Sequence, residues 1–350
     1  MNNKITIPIT RLVPGLIIGP ASWLGPYIVM NSLFLPAMLQ VLDPENKIQL
    51  VALFASMGMI VAAISNMVAG ALSDRTHSRF GSRTPWIMVG ALCFMGSMVG
   101  ALFLSQFRLG FIIFGVVAFI GTLIAVLIVR EPSNKGEVAE AAAAPKEKVS
   151  LSALRHVFPG WSVGRDYYLA FIGKMFQGIG NFAIMGYLLY IMTDFLKLGD
   201  ATASSIQLIN TIMLVFGILM GFFAGPFCDK FKVLKYPVAF STIFLALGAI
   251  ALFVCRDTTG IVLYGLLAGL GMGLWNSLDN LLNLRVIPDP DRVAFFLGVC
   301  NLGNTLTQAI APVIAAAVIS LFGFSSIFLV SFAFAVIGGC CMFAIRKVQR

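Results

Sequence analysis

Apolar residues run along this chain in long blocks separated by short polar stretches. A bilayer core of about 30 Å takes roughly 20 mostly apolar residues of helix to cross. Ten blocks meet that length: 14–38, 48–72, 85–105, 109–129, 167–192, 203–226, 237–255, 260–284, 294–320 and 325–345. The first follows Lys4 and Arg11, as a signal peptide would. It outruns a signal core of about 7–15 residues and leads into further blocks, so it is expected to remain as an anchor. Pro14, Pro20, Pro26 and Pro36 predict that this helix is bent, which a membrane tolerates where neighbouring helices satisfy the freed backbone groups.

Composition strengthens this picture. Hydrophobic residues make up 59% of the 350 and charged ones 11%, against about 25% charged in soluble domains. No water-soluble fold hides so much apolar surface, which excludes a soluble enzyme, a nucleic-acid binder and a disordered scaffold. The expected class is all-α, a polytopic membrane protein of about ten spans. The net charge of +9 changes little, because the basic residues lie between the blocks. With the N-terminus inside, the inner segments hold nineteen Lys/Arg and the outer ones four, with Lys174 inside a block. That asymmetry predicts both termini cytoplasmic in a multi-pass protein of the cell (plasma) membrane. The six cysteines have no CxxC spacing and read as small buried apolar side chains. The histidines are His77 and His156. No nucleophile–base pair or ligand set is visible, so neither an enzyme, a cofactor nor a metal site is expected.

Between the fourth and fifth blocks, EPSNKGEVAEAAAAPKEKVS is polar and Ala-rich. It predicts a cytoplasmic linker at 131–165, joining a four-helix bundle over 1–130 to a six-helix bundle over 166–350. Between the second and third blocks stands Gly70-Ala-Leu-Ser-Asp-Arg-Thr-His-Ser-Arg-Phe-Gly-Ser-Arg-Thr-Pro-Trp86. Gly70 suits a close helix approach and Gly81 a turn. Asp74 suits capping or pairing, and Arg75, Arg79 and Arg83 suit anionic headgroups or helix C-termini.

The frame Gly-x-x-x-Asp-Arg followed by Gly-x-Arg-x-Pro resembles the signature loop of the major facilitator superfamily. Its spelling, SDRTHSRFGSRTPW, is most similar to the branch of glycoside–pentoside–hexuronide:cation symporters and sucrose-type transporters. A degenerate copy, Gly225-Pro-Phe-Cys-Asp229-Lys230, precedes Lys232, Lys235 and Pro237. Such copies are what two parallel halves leave in sequence. The halves are unequal. Asp74 to Arg130 is 56 residues, Asp229 to Arg346 is 117, and the first interval is shorter by 61. That is enough for two helices and their loops, so against the family pattern the first half lacks the fourth and fifth helices. Removing two adjacent spans leaves every other orientation unchanged.

Polar residues inside the blocks recur at helical spacing. Lys174, Gln177, Gly178 and Asn181 share one face of the fifth block. Gln207, Asn210 and Thr211 do so in the sixth, and Asn276, Asp279, Asn280 and Asn283 in the eighth, after Trp275. Asn301, Asn304, Thr305 and Gln308 do so in the ninth. One-sided polar faces on four helices point either to a hydrated solute cavity or to hydrogen bonds between packed helices. The first block offers Trp23, Tyr27 and Asn31 at a similar spacing. Lys174 either snorkels toward the interface or faces the cavity. Asp279 needs a partner, for which Arg285 and Lys174 are candidates. It is either half of a structural ion pair or a coupling or gating carboxylate.

The resemblance implies a secondary active transporter that moves a small polar solute, such as a sugar or related metabolite, by alternating access between two bundles. The bilayer and that solute are the expected partners, with a coupling proton or sodium ion. The branch places its coupling acids on the second and fourth helices. No mid-membrane acid stands in the second block here, and the fourth helix has no counterpart. A transport-inactive remnant and a drug or metabolite exporter are the competing expectations.

Overall fold

The computed structural model describes residues 18, 27, 30–76, 83–100, 108–129, 160–289, 293–346 and 348. Among them every regular element is helical. In chain order they are α1 (Met30–Leu42, opening with a π turn over Met30–Phe34), α2 (Lys47–Arg75), α3 (Thr84–Gly100) and α4 (Arg108–Val129). The second series is α5 (Trp161–Gly186), α6 (Leu188–Phe195), α7 (Thr202–Phe231), α8 (Lys235–Val254), α9 (Thr258–Val286), α10 (Val293–Phe322) and α11 (Ser326–Phe343).

Among the described residues six helices are long and apolar enough to cross a bilayer, α5 with α6 makes a bent seventh, and α1, α3 and α4 contain shorter apolar stretches. These are the ten apolar blocks of the sequence, so the chain is an all-α polytopic membrane protein. Large apolar side chains such as Leu214, Ile218 and Phe222 on α7 stay exposed at helical spacing. In water such a stripe would be a liability; in lipid it is the outer wall. Residues 14–17, 19–26 and 28–29 of the first block, most of the linker, and Arg79 and Gly81 lie outside the described residues, as do the side chains of Gly70, Asp74 and Arg75.

The chain divides into two compact units, residues 1–38 with 64–148, and residues 39–63 with 149–350. In the second, the N-terminal half of α2 packs beside α6 and α10. Ser56 donates to the Ala309 carbonyl at 2.7 Å, and Lys47 pairs with Asp194 at 2.6 Å while lying over the Tyr190 ring. Just before α2, Asp43 accepts from both the backbone and the amide of Asn46, and these bonds hold its carboxyl below the ordinary aspartate value.

Periodicity predicts one straight helix over 167–192. The structure instead bends it by 55° between α5 and α6. Tyr187 sits at the break with φ −115° and ψ 15°, its N–H turning back to Ile184. Its buried hydroxyl lies 3.0 Å from the carbonyls of Ile48 and Pro312. A polar tip held by two other helices fixes the ring where an apolar side chain would let the helix run on, and the π turn Ile191–Phe195 follows.

α9 runs through the middle of the second unit, against α7 and α8. Asp257 starts it by accepting from the Gly260 N–H, the cap such helix starts favour. Its glycines allow the contact. A Cβ on Gly273 would stand 2.6 Å from the Gly217 carbonyl oxygen of α7, and one on Gly271 would stand 2.7 Å from Ser241 of α8. Small residues are how membrane helices approach so closely. Gly273→Leu is therefore expected to destabilise the detergent-solubilised chain by about 1–3 kcal/mol, read by thermal unfolding. Gly58→Leu, with nothing within 4 Å of the new Cβ, should be neutral.

The cysteines correct the sequence reading. Only Cys228 and Cys300 are buried; Cys255 and Cys341 are intermediate, and Cys93 and Cys340 are exposed. A thiol on a lipid-facing wall is as well solvated by acyl chains as one in the core, so an apolar block does not imply burial.

Candidate functional site

α5 carries a charge into the second unit. Its glycines let it lie against α10 and α11: a Cβ on Gly178 would stand 2.6 Å from the Thr307 methyl, and one on Gly180 would stand 2.9 Å from the Ser331 carbonyl. The face that carries Gly178 also meets α9. There the Lys174 ammonium lies 2.6 Å from Asp279 Oδ2, with Lys174 2% and Asp279 7% exposed. α5 begins at Trp161, earlier than the apolar block does, so Lys174 stands near mid-helix and its ammonium pairs across to α9 rather than reaching outward. Arg285, the other candidate partner for Asp279, is exposed.

The pair is only partly satisfied. Asp279 Oδ1, both amide atoms of Asn283 and the Asn181 carbonyl oxygen are buried with no hydrogen-bond partner in the protein. Gln177, also buried, reaches only the Met272 sulfur at 3.9 Å. Beside them the Cys300 thiol points to the Tyr167 hydroxyl at 3.8 Å, which donates to the Phe296 carbonyl at 3.0 Å. Buried polar atoms in native proteins almost always find a partner, from protein or from something bound. Asp279, Asn283 and Asn181 thus leave buried polar atoms that water, an ion or a polar solute could meet.

The remaining stripe residues divide by face. On α9, Asp279 and Asn283 are buried with Trp275, whereas Asn276 and Asn280 are exposed. On α10, Asn301 is exposed and Asn304, Thr305 and Gln308 are intermediate; on α7, Gln207 and Thr211 are exposed and Asn210 is intermediate. The α5 stripe of Lys174, Gln177, Gly178 and Asn181 is wholly buried. Of the stripe residues, Lys174 and Asp279 meet directly across α5 and α9. Tyr27 and Asn31 belong to the first unit. Asn31 donates to the Tyr27 carbonyl at 2.9 Å within the first unit's own chain segment.

At the signature loop the structure adds two residues the motif alone does not single out. Trp86 Nε1 donates to the Thr76 hydroxyl at 2.8 Å, and Thr76 donates to the Leu72 carbonyl at 2.7 Å. This ties the start of α3 to the end of α2. Arg83 is exposed at the loop's end. In the degenerate copy, Asp229 and Lys230 are exposed on the last turn of α7, which closes at Lys232 in the left-handed region, φ 53°. Tyr187 is the other feature missed: a tyrosine in an apolar run carries no signal of which backbone carbonyls its hydroxyl will meet. Among the described residues no three His, Cys, Asp or Glu side chains gather as metal ligands.

Residues 170–350 match the family model described as Major Facilitator Superfamily, and residues 27–163 match the one described as MFS/sugar transport protein. No curated protein matches the chain.

Proposed function

The chain belongs to the major facilitator superfamily and is a membrane transporter, and from that premise we propose that it moves a small polar solute by alternating access. The observation that carries the reading is the Lys174–Asp279 pair with orphaned amide atoms around it. Asn283 offers a free donor and a free acceptor, the combination that a sugar hydroxyl needs. The match of residues 27–163 to a sugar-transport model favours a sugar or related metabolite as cargo. Gln177, Asn181, Gln207, Asn210, Asn276, Asn280, Asn301, Asn304 and Gln308 would line the path in the second unit, and Tyr27 and Asn31 are the candidates in the first.

Coupling to a proton or sodium ion is assigned to Asp279. It is the acid set deep within a helix among the described residues, its second oxygen lacks a protein partner, and the first half offers no mid-span acid in its place. A cation arriving at Asp279 would weaken its hold on Lys174 and free the ammonium for the solute. Membrane-embedded ionisable residues are costly and usually functional.

The proposed layout is a bundle over 1–130, a cytoplasmic linker over 131–165 and a bundle over 166–350, in the plasma membrane with both termini inside. The signature spelling supports the glycoside–pentoside–hexuronide:cation symporter or sucrose-type branch. The 61-residue deficit supports loss of the fourth and fifth helices, and it is also the observation that favours a second reading, a chain that folds without transporting.

Purified full-length chain in proteoliposomes with an imposed proton or sodium gradient tests this. Saturable, gradient-driven uptake of radiolabelled sugars is expected. Asp74→Asn, at the gate end of the signature loop, should lower uptake more than protein abundance. Equal loss of both would make Asp74 structural. No saturable uptake of any sugar, drug or metabolite tested would favour the non-transporting reading.

A further inference from the structure

A cavity lies between α7, α8 and α9, with a volume of about 420 Å³. Its walls are Phe223, Phe227, Tyr236, Phe240, Phe244 and Leu274, with smaller apolar neighbours. Phe223, Phe227 and Phe240 are largely exposed, so the cavity opens on the outer wall of the second unit. Its size suits a small molecule or part of a chain, and its lining offers almost nothing to hydrogen-bond. A polar solute has no reason to enter.

Charge at its rim narrows the occupant. Val233, in the turn from α7 to α8, lines the cavity. Around that turn stand Lys230 and Lys232, both exposed, and Lys235. Lys230 lies over the Phe231 ring, 5.7 Å from its centroid. Asp229 is the one acid of the turn, also exposed. α9 and α11 end on the same side, bringing exposed Arg285 and Arg346. The opposite end of the unit is acidic on balance, with Lys47, Lys197 and Arg256 against Asp43, Glu45, Asp194, Asp200 and Asp257. An aromatic slot with three lysines at its mouth, on the basic end of a helical bundle, matches a molecule with an apolar tail and an anionic head.

We propose that this cavity is a site for an anionic phospholipid, one acyl chain in the aromatic slot and the headgroup phosphate met by Lys230, Lys232 and Lys235. Basic clusters at membrane surfaces attract anionic headgroups strongly enough that each lysine changes affinity about fivefold. The three together should favour phosphatidylglycerol over phosphatidylcholine by roughly 100-fold. The site needs no transported solute, so it stands or falls independently of the transport reading.

The test uses the intact chain with Phe227→Trp, reconstituted with phosphatidylglycerol or phosphatidylcholine brominated along the acyl chain. The fluorescence added over the parent protein is then followed. Brominated phosphatidylglycerol should quench the added signal at low mole fraction, while the phosphatidylcholine counterpart should need far more. Lys230→Gln, Lys232→Gln and Lys235→Gln together should erase that preference. These side chains are solvent-accessible, so the variant should fold; the same treatment of Lys197 and Arg256 at the other end should leave the preference intact. Equal quenching by both lipids in the Phe227→Trp chain, no quenching by either, or a preference that survives the triple substitution would each overturn the proposal.

Discussion

Removing either charge of the central pair should be the most damaging single change in this chain. Lys174→Ala strands a buried Asp279, and Asp279→Ala strands a buried Lys174; both side chains are almost wholly enclosed. Breaking a buried pair by deleting one partner costs about 3–5 kcal/mol, because the survivor keeps its desolvation penalty without its attraction. The single variants should unfold in detergent at clearly lower temperature and reach the membrane in reduced amount. Replacing both, Lys174→Met with Asp279→Leu, removes the stranded charge, and apolar replacements of buried pairs are often neutral or stabilising by about 1–4 kcal/mol. The double variant should therefore recover stability while remaining unable to couple uptake to a cation gradient. Recovered stability together with full gradient-driven uptake would make the pair structural only. Singles as stable as the parent would mean that Lys174 and Asp279 do not face each other in the membrane.

The architecture was legible because a bilayer imposes a length and a polarity on each segment. The ten blocks and the observed helices agree to within a few residues at most ends. α7 runs on to Phe231, beyond the apolar block, because its last turn carries Cys228, Asp229 and Lys230 at the interface. Helical spacing also placed Lys174, Gln177 and Asn181 on one face, and the structure buries all three.

What spacing could not supply is which neighbour each face meets. The α9 stripe reads as uniform, yet Asp279 and Asn283 turn inward while Asn276 and Asn280 remain accessible, because the stripe is wider than the contact with α5. The choice of Lys174 over Arg285 as partner is a tertiary matter as well. It depends on Gly178 and Gly180 letting α5 sit close to α10 and α11. The bend at Tyr187 was illegible for a similar reason: its hydroxyl is held by carbonyls of Ile48 and Pro312, far away in sequence.

Water-borne thiol reagents should read the two sides of α9 directly. In a chain whose six native cysteines have been replaced, Asn276→Cys and Asn280→Cys should label readily with a membrane-impermeant maleimide, since both positions are accessible. Leu278→Cys, fully buried against the neighbouring helices, should stay unreactive. Asn283→Cys is the informative position. At 1% exposure it should label only when the bundle opens, and minor conformers are commonly populated at about 0.1–10%, which slows reaction by about 10- to 1000-fold. Alternating access predicts that a transported solute changes this slow rate, because solute selects one of the two states, while the rate at Asn276→Cys changes little. A rate at Asn283→Cys that no solute or gradient alters would argue that the α9 stripe is static packing. Protection of Asn276→Cys and Asn280→Cys under every condition would go further: it would put that face against lipid or another helix and leave the proposed solute path without α9.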